Sequence, residues 1–354
     1  MILERVWIKS LRNFNELQLS LHPRCNVIVG DNGSGKTSFL EALYLLSRGQ
    51  SFKTRSSTPL VKFQESQLMI HARTCQEEQI YLEKNLKGQT KITFNEKRCQ
   101  RFSDLAKILP CQLFHQDLFQ IIDASSSIRR RLLDWGLFYH HQDYAQIYRD
   151  FNKVLLQRNQ ILKQKGSPTD LQAWEKPFVE LSEQIDVYRK AYTQNLQEAL
   201  QKELHAFSLD FSCHLSYHSG WNQNYALTEA LKEQAVGDRK LGYTQAGPHH
   251  ADLYFLSENG KGKLEWSRGQ QKLILILLKL AQNKLLKQPC VFLFDDLPAE
   301  LDQNRLHQLY QEIRQQDGQV ILTALDDAAK DLSAFADSRW FYLKDGKIER
   351  SIDL

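Results

Sequence analysis

Two short stretches of this chain carry residue types whose spacing dictates phosphate chemistry. Gly30, Asp31, Asn32, Gly33, Ser34, Gly35, Lys36 and Thr37, followed by Ser38, read G-x-x-x-x-G-K-[ST]. Glycines at these positions let successive backbone N–H groups turn toward one anion, the lysine neutralises β- and γ-phosphate oxygens, and the Thr37 hydroxyl can bind Mg²⁺. The second stretch, Pro289-Cys-Val-Phe-Leu-Phe-Asp-Asp296, is apolar until it ends in two carboxylates. A carboxylate is a hard oxygen ligand, so Asp295 can hold Mg²⁺ directly or through water. Asp296 can orient or deprotonate a water that attacks the terminal phosphate. The chemistry predicted from Lys36, Thr37, Asp295 and Asp296 is binding of a nucleoside triphosphate with Mg²⁺ and attack on its terminal phosphate, and the phosphate loop alone does not choose among kinases, GTPases, motors and ABC ATPases that hydrolyse ATP to ADP and phosphate.

Each stretch needs an element to deliver it. The apolar run Asn26 to Val29 precedes the glycines, and the helical pattern from Ser38 follows them. This is the strand–loop–helix setting in which a helix start adds its partial positive charge to a phosphate cradle. A buried strand over 290–294 would bring Asp295 to the carboxyl edge of the same sheet. Alternation over Leu3 to Leu11 and Phe14 to Leu21 predicts further strands, as do shorter segments at Gln67 to Ala72, Gln79 to Glu83 and Lys91 to Phe94. Between about Ser125 and His205 the period becomes helical, with Tyr144, Ile147, Tyr148, Phe151, Leu155, Arg158 and Ile161 on one face. Gly166-Ser-Pro-Thr-Asp170 breaks this run, after which Leu171, Trp174, Phe178, Leu181, Ile185, Tyr188 and Tyr192 step by three and four. A helical hairpin is expected, with Pro177 kinking the second helix or marking a later start, and the heptad reads as packing within the chain. Strands return after residue 245 and end in a hairpin turning at Asp345-Gly346. Because most of the chain lies between Lys36 and Asp295, the nucleotide lobe is expected to be split over 1–115 and 245–354. Residues 116–244 then form an inserted helical lobe with a short helical-hairpin arm.

Ser267-Arg-Gly-Gln-Gln-Lys272 lies just ahead of the acidic strand. Ser267 is a suitable N-cap for the helix that follows, and its place in the motif order is similar to the ABC signature motif. In ABC proteins this motif grips the γ-phosphate held by a second subunit, which implies that Ser267, Gly269 and Gln270 serve a partner's ATP in a homodimer. Pro298-Ala-Glu-Leu-Asp302 falls where the D-loop would run. Thr323, in the strand-like Gln319 to Leu325, stands where many ABC proteins have a γ-phosphate-sensing histidine.

End to end, the chain resembles the RecF family. The residues that carry the resemblance are Leu11-Arg-Asn-Phe14, the phosphate loop, Ser51-Phe-Lys-Thr-Arg55, Ser127-Ile-Arg-Arg-Arg-Leu-Leu-Asp134, Ala246-Gly-Pro-His249, Ser267 to Lys272 and Phe294-Asp-Asp-Leu-Pro-Ala-Glu-Leu-Asp302. The resemblance implies an α/β fold, an ABC-type P-loop ATPase head whose strand-rich nucleotide lobe is split by an inserted helical lobe. It places Arg12 and Asn13 near the nucleotide and makes Gln112 or Gln116 the Q-loop contact to Mg²⁺ and the water. It implies a cytosolic protein that dimerises with ATP, binds DNA at single-strand/double-strand gaps, and works with RecO and RecR to help RecA displace single-strand-binding protein. Asp296 is one methylene, about 1.5 Å, shorter than the glutamate of other ABC ATPases, which implies slow hydrolysis. Two stretches depart from the family pattern: Gly247-Pro-His-His-Ala-Asp252 replaces Gly-Pro-His-Arg-Asp-Asp, and Ala299 replaces a serine before Glu-Leu-Asp.

Composition fits this reading and restricts it. The chain has 354 residues with 42% hydrophobic and 25% charged, ample for a large core. A net charge of only +4 makes any basicity toward DNA a local matter. Candidate phosphate-backbone contacts are Lys53, Arg55 and Lys62, the Lys84, Lys87 and Lys91 group, Lys97, Arg98 and Arg101, and Arg129 to Arg131. No base-reading motif accompanies them, so shape and backbone recognition is expected. The six cysteines are scattered without a C-x-x-C pair, against a zinc site or disulfide framework. The amino terminus is too charged for an export signal, and the Leu273 to Leu278 run is too short to span a bilayer. Three other readings share parts of the pattern. An SMC-type chromosome or break-repair ATPase would insert a far longer coiled coil, and the nucleotide subunit of a membrane transporter would keep the sensing histidine. A non-hydrolysing nucleotide-sensing scaffold would share the whole site.

Overall fold

The first strand shows how the apolar pattern becomes a sheet. In the computed structural model, which describes residues 1–54, 56–115, 121–260, 265–286, 288–296, 303–325 and 337–353, β1 (Leu3–Leu11) buries Leu3, Val6, Ile8 and Leu11. A register irregularity between Leu3 and Arg5 lets both Leu3 and Val6 face inward although three positions separate them. β2 (Phe14–Ser20), β4 (Gln67–Thr74), β5 (Gln79–Asn85), β6 (Thr90–Phe94) and β7 (Lys97–Arg98) complete an antiparallel sheet in the order β2-β1-β4-β5-β6-β7.

A second sheet has the order β14-β13-β3-β12-β11-β8. Its strands are β3 (Cys25–Val29), β8 (Cys111–Phe114), β11 (Cys290–Phe294), β12 (Gly318–Ala324), β13 (Ser338–Lys344) and β14 (Lys347–Asp353). All its pairings are parallel except β13 with β14. β3 and β11 are buried at all five positions, the continuous apolar run expected of a parallel strand covered on both faces. The β13–β14 turn has Asp345 at φ 47° and Gly346 at φ 73°, the two left-handed residues of a tight hairpin. Helix α1 (Lys36–Arg48) joins both sheets in one core: Phe39, Leu40, Leu43 and Leu46 cluster with Ile8, Ile70 and Leu82 from the first sheet and Ile28, Leu293 and Ile321 from the second. Two further helices belong here, α2 (Phe102–Ile108) and α9 (Gln303–Arg314).

A second compact unit is helical. It contains α3 (Ser126–His140), α4 (Tyr144–Lys163), α5 (Pro168–Ala173), α6 (Glu175–Ala206), α7 (Leu227–Leu241), α8 (Arg268–Lys284) and the strand pair β9 (His214–His218) and β10 (Asp252–Leu256). Ser167 opens α5 with a capping box to Asp170 and Pro168 in the first turn. Pro177 falls in the first turn of α6, where its missing N–H costs no helical bond, so the later start applies. The heptad of α6 buries Phe178, Ile185, Tyr192 and Leu196, and the helix packs on α3, α4 and α8 of the same chain. On that buried face Arg189 is paired, reaching both carboxylate oxygens of Asp134 (2.9 and 3.0 Å) and the Pro248 carbonyl (2.6 Å).

The boundary between the units differs from the expected one. The compact units are Met1–Leu118 with Lys287–Leu354, and Phe119–Leu286, so the chain returns to the nucleotide unit at 287 rather than 245. The reason is pairing: β10 bonds to β9 and α8 packs on α6, which keeps 245–286 with the helical unit. The Gly247 to Asp252 departure also lies here. His250 Nε2 contacts the Thr244 carbonyl at 3.2 Å, and Asp252 retains a two-oxygen ion pair with Arg129 at 2.7 and 2.8 Å. Among the described residues no helix is long and apolar enough to cross a membrane.

Candidate active site

The chain leaves β3 at Gly30, whose N–H donates to the Ala324 carbonyl of β12 at 3.3 Å. It then turns through Gly33 at φ 84° and Gly35 at φ 116°, values that favour glycine. A Cβ on Gly35 would also lie 2.9 Å from both Asn13 Nδ2 and a ring carbon of Phe14. The loop is held from two sides: Asn13 Nδ2 and the Gly346 N–H both donate to the Ser34 carbonyl, at 3.1 and 3.0 Å. α1 begins at Lys36 with no side-chain cap, which leaves its first-turn N–H groups for an anion. Lys36 Nζ donates to the carbonyls of Gly30 (2.5 Å) and Asp31 (3.0 Å), so one of its three donors remains for a phosphate. Burial lowers the Lys36 pKa from its ordinary value, opposed by the charges of Asp296, Asp295 and Asp31.

The acidic pair lies opposite. Asp295 Oδ1 accepts from Thr37 Oγ1 at 3.1 Å and from Thr323 Oγ1 at 2.9 Å. The same Thr323 hydroxyl accepts from the Asp296 N–H at 2.9 Å. Thr323 therefore clamps both aspartates. His115, just beyond β8, brings Nε2 to 3.6 Å from Asp295 Oδ2 and its ring to 5.2 Å from that of Phe52. The converged Thr37 hydroxyl and Asp295 carboxylate are hard oxygen donors and suit Mg²⁺.

Arg12 is fixed as firmly. Its backbone is left-handed at φ 52°, its guanidinium meets both oxygens of Glu41 at 2.8 and 2.9 Å, and it donates to the Pro59 carbonyl at 2.8 Å. The Glu41 side chain is fully buried in α1 and also accepts from Ser51 Oγ.

Arg12, Asn13, Asp31, Asn32, Gly33, Gly35, Lys36, Thr37, Ser38, Asp295 and Asp296 line one cleft of about 870 Å³, whereas Gly30 and Ser34 of the same loop do not line it. His115 and Glu41 belong to no motif that the sequence displays. The signal for Glu41 was an acid inside an apolar helical face; His115 gave none beyond standing next to Gln116. Gln112 does not line the cleft: it is buried in β8, its amide atoms without partners. Gln116, Arg55 and Pro298 to Asp302 lie outside the described residues. In the helical unit, Ser267 opens α8 through a capping box, accepting from the Gln270 N–H at 3.2 Å while its own N–H donates to Gln270 Oε1 at 2.8 Å. Gly269 follows within the first turn.

Comparison with known proteins gives a consistent set of matches. The family model described as the RecF/RecN/SMC N terminal domain matches residues 2–334. The DNA replication and repair protein RecF of Histophilus somni (strain 129Pt) is 33% identical over 357 residues, 99% of each chain. The protein of that name from Marinomonas sp. (strain MWYL1) is 36% identical over 358 residues, 98% of this chain and 97% of its own. A solved structure of the recombination mediator protein RecF with ATP, of the RecFOR pathway, superposes with a TM-score of 0.85 at 24% identity, covering 99% of this chain and 97% of that one.

Proposed function

This chain belongs to the RecF/RecN/SMC N-terminal-domain family and has the ABC-type P-loop ATPase head fold, and from that premise we propose that it is an ATP-dependent DNA-binding protein of recombinational gap repair. In this reading it is cytoplasmic, forms an ATP-sandwiched homodimer at single-strand/double-strand junctions, and assists RecA loading with RecO and RecR. The observation that carries the reading is the convergence of Lys36, Thr37, Asp295 and Asp296 on one cleft.

Thr37 and Asp295, with Gln116 as the family motif implies, would hold Mg²⁺, which would supply charge neutralisation on the phosphates. Lys36 binds the β- and γ-phosphate oxygens with its free donor, beside the open N–H groups at the start of α1. Asp296 positions the attacking water and takes its proton. Its short side chain, tied at the backbone to Thr323, supports slow hydrolysis, a clamp rather than a pump. Ser267 accepts from Gln270 but keeps its own hydroxyl hydrogen, which it donates, with the Gly269 N–H, to the γ-phosphate held by a second copy.

Size-exclusion chromatography with light scattering tests the sandwich. Asp296→Asn with ATP is expected to run as a stable dimer and the ADP form as a monomer; no effect of ATP on the elution would rule the sandwich out. Binding to gapped, duplex and single-stranded DNA with and without ATP tests the repair role, and equal, ATP-independent binding, or none, counts against it.

A further inference from the structure

The charged side chains sort into those the fold has already engaged and those it has not. Arg129 is bound to Asp252 and to the Ala124 and Ile122 carbonyls, and Arg130 donates to the Ala251 carbonyl at 2.6 Å. Lys84 is buried against the Gly49 carbonyl, Lys62 donates to the Asn13 carbonyl, and Lys53 lines the nucleotide cleft. These cations hold the fold or the ATP site.

Lys97, Arg98 and Arg101 differ. All three are exposed, and they line a separate hollow of about 570 Å³ where the edge of the first sheet meets α2. Asp104 is the one acid on its wall, and Gln100 and Asn95 add uncharged polar groups. None of the three cations makes a side-chain hydrogen bond or ion pair with a described residue. Three solvated cations on a concave edge, with spare donors and only one acid among them, suit a chain of phosphodiesters spaced a few ångströms apart.

We propose that Lys97, Arg98 and Arg101 form the surface that grips the DNA phosphate backbone, and that the Arg129–Arg130 pair has a structural role instead. This rests on the reading of the chain as a DNA-binding ATPase and names the surface that reading requires. Contacts of this kind are sequence-independent and release counterions, so they show in the salt dependence of binding.

The test is fluorescence anisotropy on a gapped duplex with ATP over a series of KCl concentrations. It compares the wild type, the combined Lys97→Ala, Arg98→Ala, Arg101→Ala variant, and a control with the same loss of charge, Lys165→Ala, Lys232→Ala, Lys240→Ala, all exposed. Because the three residues lie off the nucleotide cleft, binding of a fluorescent ATP analogue is expected to be unchanged, which certifies the fold; a glutamine triple variant repeats the measurement with longer side chains. The expected result is binding weakened about tenfold or more and a log–log salt slope reduced by about 2.7, three contacts at ~0.9 each, with the control close to wild type. A triple variant with wild-type affinity and slope overturns this surface and leaves the DNA-binding reading standing. Equal weakening in the control also overturns it, because bulk charge would then suffice. Absence of DNA binding by the wild type removes both the surface and the reading beneath it.

Discussion

At the scale of single residues, the hydroxyl of Thr323 ties the two acids together. It donates to Asp295 Oδ1 and accepts from the Asp296 N–H, so one buried group sets the aim of the carboxylate assigned to Mg²⁺ and of the backbone that presents the second acid. A second ligand shell of this kind is worth about 10–100-fold in metal affinity or activity. Thr323→Val keeps shape and burial but loses both bonds, and is expected to lower ATP turnover by about 10–100-fold while ATP binding measured in EDTA stays unchanged. Wild-type phosphate release from this variant would show that Asp295 needs no such clamp. Glu41 has the corresponding relation to Arg12: a fully buried carboxylate fixes the guanidinium at the cleft. Neither role could be seen in the sequence. A threonine in an apolar strand and a glutamate in a helix are ordinary until the partner is known, and Thr37 lies 258 positions from Asp295.

At the scale of elements, the start of α8 separates a structural role from a functional one. Ser267 caps the helix reciprocally with Gln270, and losing such a cap costs about 1 kcal/mol. Asparagine caps about as well as serine but has no hydroxyl to offer a phosphate. Ser267→Asn is therefore expected to melt within a few degrees of wild type yet to fail to dimerise with ATP, whereas Ser267→Ala loses some stability as well. Dimerisation of the asparagine variant at wild-type ATP concentrations would reduce Ser267 to a cap. Helix and strand identities were legible at this scale because they depend on local periodicity: the alternation of β1, the unbroken apolar runs of β3 and β11, and the three-and-four stepping of α6 all appear as elements. The domain boundary was not legible. The strand-like 252–256 segment gives no sign that its partner is β9 rather than a strand of the nucleotide sheets.

At the scale of the whole molecule, the nucleotide unit is assembled from both ends of the chain. β3, which launches the phosphate loop, lies between β12 and β13, and β8 pairs with β11; all three partners come from the carboxy-terminal segment. The Gln319 side chain joins the ends again, accepting from the Leu3 N–H at 3.0 Å and donating to the Leu3 carbonyl at 2.8 Å. A chain ending at residue 286 would leave β3 without either neighbour, so it is expected not to bind a fluorescent ATP analogue, and co-expression of 287–354 is expected to restore binding. ATP binding by the shortened chain alone would show that the amino-terminal segment folds by itself. The sequence by itself determined the chemistry: a glycine loop, a lysine and two carboxylates at the end of an apolar strand suit phosphate and Mg²⁺ wherever they are placed, since those properties belong to the side chains and to local backbone geometry. Only the tertiary structure decided which groups hold them. Sheet order, not sequence distance, puts Thr323 and His115 against Asp295 and takes Gln112 into the core, while the packing of α3 on β10 ties Arg129 to Asp252 and Lys97, Arg98 and Arg101 are left facing solvent.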